Sequence, residues 1–206
     1  MTDTHRGLPL DVSRETLDRL ETLTALLTRW TEKINLVSRN SVTDAWTRHI
    51  VDSAQVFTLA EDQPSHWADL GAGGGFPGLV VAALAREHSP ETRVTLVESD
   101  SRKCAFLRTA LREMEIEATV LTKRIEALAP LDADVVSARA LTALPGLLEY
   151  TAQHRTKDGL ALFPKGARWK KEIAEAQESW QFEYTHRKSI TDPDAVVLKI
   201  GALTHV

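Results

Sequence analysis

The chain has 206 residues, of which 43% are hydrophobic and 26% charged, with a formal net charge of −4 and a pI near 6.0. That length suits one domain, or one domain with a small addition, and the acidic balance argues against a nucleic-acid partner on its own, so any such binding needs a local basic patch. No apolar run reaches the roughly 18–20 residues of a bilayer span, the opening MTDTHRGLPL lacks the pattern of a signal peptide, and the single Cys104 cannot form an internal disulfide, so a cytoplasmic protein without a membrane partner is expected.

Residues 10–62 read as helical, because Leu17, Leu20, Leu27 and Ile34, with Leu23 and Trp30 between them, recur at helical spacing. A second helix is expected to start at Ser41, with Asp44 completing a short variant of a capping box. It would present Val42, Trp46, Ile50, Ser53 and Phe57 on one face. The polar turn EDQPSH (61–66) marks the expected boundary between a helical extension, 1–62, and a second unit, 63–206. Strands and helices then alternate. HWADLG is a short strand, PGLVVAALAREH a helix with Pro77 near its first position, and RVTLVE (93–98) a strand. SRKCAFLRTALREM is a helix with Cys104, Leu107, Leu111 and Met114 on one face, where Cys104 is expected as a small core residue. EATVLT and ADVVSA (133–138) are strands, ALPGLLEYTAQH a helix, GLALFP (159–164) a strand, and about 168–178 a polar helix. The C-terminal stretch reads as a hairpin. Repeated βα units imply an α/β fold, a mostly parallel sheet with helices on both faces, here ending in antiparallel strands.

Half of the ten glycines fall between Gly71 and Gly78, in DLGAGGGFPG. Such a cluster suggests a backbone that bends sharply or approaches a ligand. Gly73 to Gly78 satisfies the GxGxxG pattern of dinucleotide sites, but Pro77 has no N–H for a pyrophosphate, and Asp69 stands where an apolar strand would run into the glycines. A ligand with a flat base, a ribose and a charged amino-acid tail fits better. Asp69 could meet an ammonium through water or the loop backbone, Gly71 and Gly73 allow close approach, and Phe76 offers an apolar wall. Glu98, 27 residues after Gly71 at the end of the second strand, could accept both ribose hydroxyls. These requirements describe S-adenosylmethionine. The alternative is a tight turn with no ligand.

At this point the chain resembles the ribosomal RNA small subunit methyltransferase G family, also called glucose-inhibited division protein B. RWTEKINLVS, RHIVDS, DLGAGGGFPGL, VTLVESDSRKCAFLR, RIEAL, VVSARAL and FPKG occur in that family's order and spacing. The resemblance implies a class I methyltransferase, a Rossmann-like seven-stranded sheet with an N-terminal helical extension. It implies transfer of a methyl group from S-adenosylmethionine to guanine N7 in bacterial 16S ribosomal RNA, free or in an assembling small subunit. It further implies that Gly71, Phe76, Ile125, Glu126 and Arg139 contact the cofactor, with Ile125 and Glu126 at the adenine edge and Arg139 beside the transferred methyl. The middle Gly74 of the loop, and Glu98 where Asp is common, are the departures from the family pattern.

Guanine N7 carries a lone pair and no proton, so no general base is required and Arg139 would act by alignment. Arg48 and His49 either border the substrate mouth or, with Asp52, form an ordinary helix-surface pair or cap. Lys165 and Arg168, with Lys170 and Lys171 around Trp169, suit phosphate contact with base stacking or form a solvated helix start. The seven histidines and one cysteine show no metal-ligand spacing, so no metal is expected. A monomer is expected. A small-molecule methyltransferase, a nicotinamide dehydrogenase and a non-enzymatic nucleic-acid binder are the competing readings.

Overall fold

The strand β1 (His66–Leu70) is buried at every residue, which places it inside the sheet with both faces covered. A computed structural model describes residues 6–38, 43–60 and 63–206. Within them β1 is joined by β2 (Arg93–Glu98), β3 (Thr119–Thr122), β4 (Ala133–Ser137), β5 (Arg155–Lys165), β6 (Trp180–Lys188) and β7 (Val196–His205), in the order β3-β2-β1-β4-β5-β7-β6. The first five pair with one another in parallel, whereas β7 runs antiparallel to both β5 and β6. This is the mostly parallel sheet with a terminal hairpin that the repeated units predict, with the seven strands that the family resemblance implies. The order reverses at β1, so the clefts above β1 and β4 lie at the switch point where such sheets bind ligands.

Helices cover both faces. On one side lie α1 (Arg14–Thr31), α2 (Asp52–Phe57), α3 (Gly78–His88) and α4 (Ser101–Glu113). Leu20, Leu23 and Leu27 of α1 share a buried cluster there with Leu79, Phe106 and Leu107. On the other side α5 (Leu144–His154) and α6 (Trp169–Gln177) bury Leu144, Leu148 and Ile173 against Phe163 and Leu198 of the sheet. Adjacent residues of β1, Trp67 and Ala68, belong to opposite clusters, as the two-residue period of a strand requires. The N-terminal helices therefore form a layer on the sheet. The proposed division near residue 62 is one of architecture, with a core common to both parts.

Two local features bear on the site. Ser13 caps α1 by accepting from the Thr16 N–H, and its own N–H and hydroxyl donate to the Glu87 carboxylate of α3, which fastens the extension to the sheet layer. The second helix differs from expectation. Ser41 and Val42 lie outside the described residues, and Trp46–Val51 is wound as a π-helix that continues into α2. The Asp52 N–H donates to the Thr47 carbonyl, a wider turn than an α-helix makes. That extra residue breaks the single expected face: His49, Ile50 and Val51 are consecutively buried, while Trp46 and Phe57 sit at its margin.

Candidate active site

A cleft of about 1020 Å³ opens at the carboxyl ends of β1, β2, β4 and β5. That is the upper end of the roughly 300–1,000 Å³ usual for ligand pockets, which leaves room for a cofactor and a base together. Gly71 and Gly73, both in the left-handed region at φ 67° and 54°, bend the glycine loop over the end of β1. At Gly78 the reason for glycine is space, since a Cβ there would stand 2.2 Å from Leu96 and 2.6 Å from the Asp69 carboxylate.

Asp69 does not reach the cleft. Its carboxylate is fully buried, with one oxygen accepting from the Gly78 N–H at 3.0 Å and the other from the Ser137 hydroxyl at 2.7 Å. Asp69 therefore makes no direct contact with the cleft: it caps the first turn of α3 and fixes the loop from below, so any part it takes in meeting a ligand ammonium runs through the loop backbone. Burial pushes its pKa up to about 7, against those two hydrogen bonds.

Glu98 does line the cleft, beside the glycine loop. Its oxygens accept from the Gly73 N–H at 2.9 Å and the Asp100 N–H at 2.8 Å, so the carboxylate is held in place with lone pairs remaining. Ile125 opens a short 3₁₀ turn and is buried, its carbonyl accepting from His154 Nε2 at 3.1 Å. Glu126 beside it is exposed and accepts from the Tyr150 hydroxyl at 2.6 Å, a bond that holds its carboxyl below the usual range. Cys104 is buried in α4, its Sγ donating to the Glu98 carbonyl, as a core residue should be.

A second group of cleft residues centres on Arg139, just past β4. Its Nη1 donates to the Arg48 carbonyl at 3.0 Å and lies 3.4 Å from Asp52, its Nη2 lies 2.9 Å from His49 Nδ1, and its guanidinium stands 5.2 Å over the Phe76 ring. Burial lowers the Arg139 pKa, while Asp52 and Asp69 raise it. The next residue, Ala140, has φ 52°, an uncommon conformation without glycine, and the turn sends Leu141 over Gly71 while Arg139 turns toward the π-helix. Phe76 also stacks on His49, centroids 4.8 Å apart.

Sequence reasoning places Lys165 and Arg168 against RNA, and the structure separates them. Lys165 lies at the cleft edge, but its ammonium is 2.7 Å from Glu172 and its side chain is only 9% exposed. Glu172 also accepts from the Leu144 N–H, so this pair fixes the loop after Arg139. Arg168 is exposed at the start of α6 and is not part of the cleft lining. Trp169 packs on His186 at 4.6 Å with Lys170 over its ring, so it is not a free stacking platform.

Three contributors escape sequence reading. Asn35 to Ser38 line the cleft, and Gly74 makes room for them, since a Cβ there would stand 3.0 Å from the Leu36 carbonyl. Lys103, Lys123 and Arg124 add positive charge to the rim. Asp52 and Gln55 also clasp the β6–β7 connection: Asp52 accepts from the Thr191 hydroxyl at 3.0 Å and from Gln55 at 2.7 Å, and Gln55 accepts from the Ile190 N–H at 3.1 Å. The motif INLVS offered a faint signal for the first. Nothing local connects Asp52 with Thr191.

Residues 16–197 match the family described as rRNA small subunit methyltransferase G. The chain belongs to this family. It is 52% identical over 206 residues to the ribosomal RNA small subunit methyltransferase G of Ruegeria sp. (strain TM1040), covering 100% of both chains. It is 53% identical over 197 residues to that of Cereibacter sphaeroides (strain ATCC 17029), covering 96% of each. Among solved structures it resembles an O-methyltransferase from Bacillus cereus in complex with SAH, at a TM-score of 0.61 and 12% identity, covering 96% of this chain and 94% of the other. It also resembles M. jannaschii TYW2 in complex with AdoMet, at 0.56 and 14%, covering 85% and 80%. At such identities the likeness concerns the fold, the class I methyltransferase sheet. In this member of the methyltransferase G family, one cleft brings together the glycine loop, Glu98, Arg139, Arg48 and His49.

Proposed function

We propose that this chain transfers a methyl group from S-adenosylmethionine to N7 of a guanine in 16S ribosomal RNA, acting in the cytoplasm, with Glu98 and the glycine loop as the cofactor half of the cleft and Arg139 as the centre of the substrate half. The observation that carries the reading is their juxtaposition in one cleft. The residues present suit the cofactor: a fixed carboxylate at Glu98 for a ribose diol, buried Ile125 for a flat base, and the close backbone approach that Gly71 and Gly73 permit. S-adenosylmethionine, when bound, supplies an electrophilic methyl on a sulfonium.

Everything else asked of the chain is alignment. Guanine N7 attacks through a lone pair that bears no proton, so no side chain need remove one. The site agrees with that chemistry. His49, the imidazole beside Arg139, is pushed down to a pKa of about 3 by burial and by the nearby Arg139 and Arg48, and its Nδ1 is engaged by Arg139. Arg139 remains protonated and is suited to fork onto a phosphate, a carboxylate or a base edge. Exposed Arg48, Lys123 and Arg124 on the rim favour a polyanionic substrate over a small apolar one.

The test is methyl transfer to small subunits, naked 16S RNA and free guanosine, with the modified nucleoside identified by mass and by its N7-methyl chemistry. Transfer to one guanine of the RNA supports the reading. Transfer to free guanosine at an equal rate contradicts a ribosomal substrate.

A further inference from the structure

The structure assigns to His49 a role other than bordering the RNA. We propose that His49 is a positioning residue for Arg139: its Nδ1 lone pair holds one side of the guanidinium while the Arg48 carbonyl and Asp52 hold the other. The proposal rests on the reading of Arg139 given above and deepens it.

The geometry fixes the direction of the bond. Arg139 has donors only, so at 2.9 Å from Nη2 the Nδ1 atom must be the acceptor. The imidazole is then neutral, with its proton on Nε2. Nε2 itself is buried and has no partner among the described residues. His49 is 6% exposed and lies flat on Phe76 with 21° between the ring planes, so it has no free surface for a phosphate. The same Phe76 ring lies under the Arg139 guanidinium. One aromatic ring thus sets the height of both partners, and the Nδ1 contact sets the rotation of the fork. The charged groups nearby are consistent with a neutral ring: Arg139 and Arg48 disfavour protonation more than Asp44 favours it. The remaining face of the arrangement is closed by Asp52, itself clasped by Gln55 and Thr191. Nη1 is turned to Arg48 and Asp52 and Nη2 to His49, while Arg139 itself lines the cleft.

The substitutions that separate positioning from mere packing are His49→Asn and His49→Gln. The asparagine amide oxygen stands as many bonds from Cα as Nδ1 does, whereas the glutamine oxygen matches Nε2. We expect single-turnover methyl transfer to small subunits, at saturating S-adenosylmethionine, to stay within roughly threefold of wild type in His49→Asn and to fall by roughly tenfold or more in His49→Gln, as befits loss of a hydrogen bond to a charged group. Cofactor affinity by calorimetry should stay within about threefold in both, since the change concerns alignment. His49→Phe keeps the stack on Phe76 and should behave as His49→Gln. Equal rates in the asparagine and glutamine variants overturn the proposal. A second readout needs neither activity nor a variant: ¹⁵N correlation spectra of His49 in the wild-type protein should show a neutral ring protonated on Nε2. A proton on Nδ1 overturns the proposal outright. If wild type fails to methylate the small subunit, the functional reading fails, while the tautomer still decides the role of His49.

Discussion

The two walls of the cleft are built by different means. The wall proposed for the cofactor is set by the backbone: Glu98 accepts from N–H groups of Gly73 and Asp100, and Asp69 caps Gly78, nine residues along the chain. The wall proposed for the substrate is set by side chains from distant segments. Arg139 meets His49 across 90 positions, and Asp52 meets Thr191 across 139. A wall held by its own backbone is fixed when β1 and β2 pair. A wall held by side chains depends on the π-helix, the end of β4 and the β6–β7 connection all docking together. Single substitutions should therefore change binding on the first wall and alignment on the second.

The largest expected effect is on the side-chain wall. Arg139→Ala should fold, bind S-adenosylmethionine within an order of magnitude of wild type, and lose on the order of 100-fold or more in single-turnover transfer, the scale seen when a preorganised donor is removed. Arg139→Lys should recover little, because a point charge does not reproduce the fork. A thermal melt alongside checks the fold. Equal losses in binding and rate would erase the distinction between the walls. Next comes Glu98→Ala, expected by calorimetry to weaken cofactor binding by roughly 1.5–3 kcal/mol, the range for charged hydrogen bonds. Because Glu98 also holds Gly73, part of that loss should appear as lower stability of the loop, seen as faster amide exchange at Gly73.

Two buried groups sharpen the comparison through pH, one on each wall. Asp69 has its pKa raised from 3.8 to about 7, so between those values the folded state binds more protons than the unfolded chain, and its contribution to stability falls as pH rises through that window. His49 has its pKa lowered from 6.5 to about 3, so between those values the unfolded chain binds more protons, and its contribution is lost as pH falls. The two trends oppose each other between about pH 4 and 6.5. Denaturant titrations of Asp69→Asn and His49→Asn against wild type should therefore change the pH slope in opposite directions. Slopes that move together would remove one of the assignments. The smallest effect is expected away from both walls. Ser13→Ala removes the α1 cap and the hydroxyl bond to Glu87, at about 1 kcal/mol by chemical denaturation, with methyl transfer unchanged.

The difference between the walls also explains what could be read from the chain. Glu98 and the glycines were legible because their spacing is local to one βα unit and each residue type has a narrow physical use. Asp69 was legible as important but not in its role, since spacing cannot tell a carboxylate that lines a cleft from one that caps a helix beneath it. Lys165 follows a strand at the right edge, yet only the fold shows Glu172 reaching it from α6. The clasp of Asp52 and Gln55 on Ser189–Thr191 joins segments with no shared periodicity, and the π-winding that buries His49 has no composition signal of its own.

Alignment without a general base is tested most directly by the pH dependence of single-turnover methyl transfer at saturating S-adenosylmethionine and small subunit, with the product checked as N7-methylguanine. A rate that is flat between about pH 8 and 9, above the Asp69 titration near 7, is expected, because N7 has no proton to lose and Arg139 keeps its own. A rate that climbs about tenfold per pH unit over part of that range would show a deprotonation in the reacting step and would contradict the assignment of Arg139 and His49 to positioning.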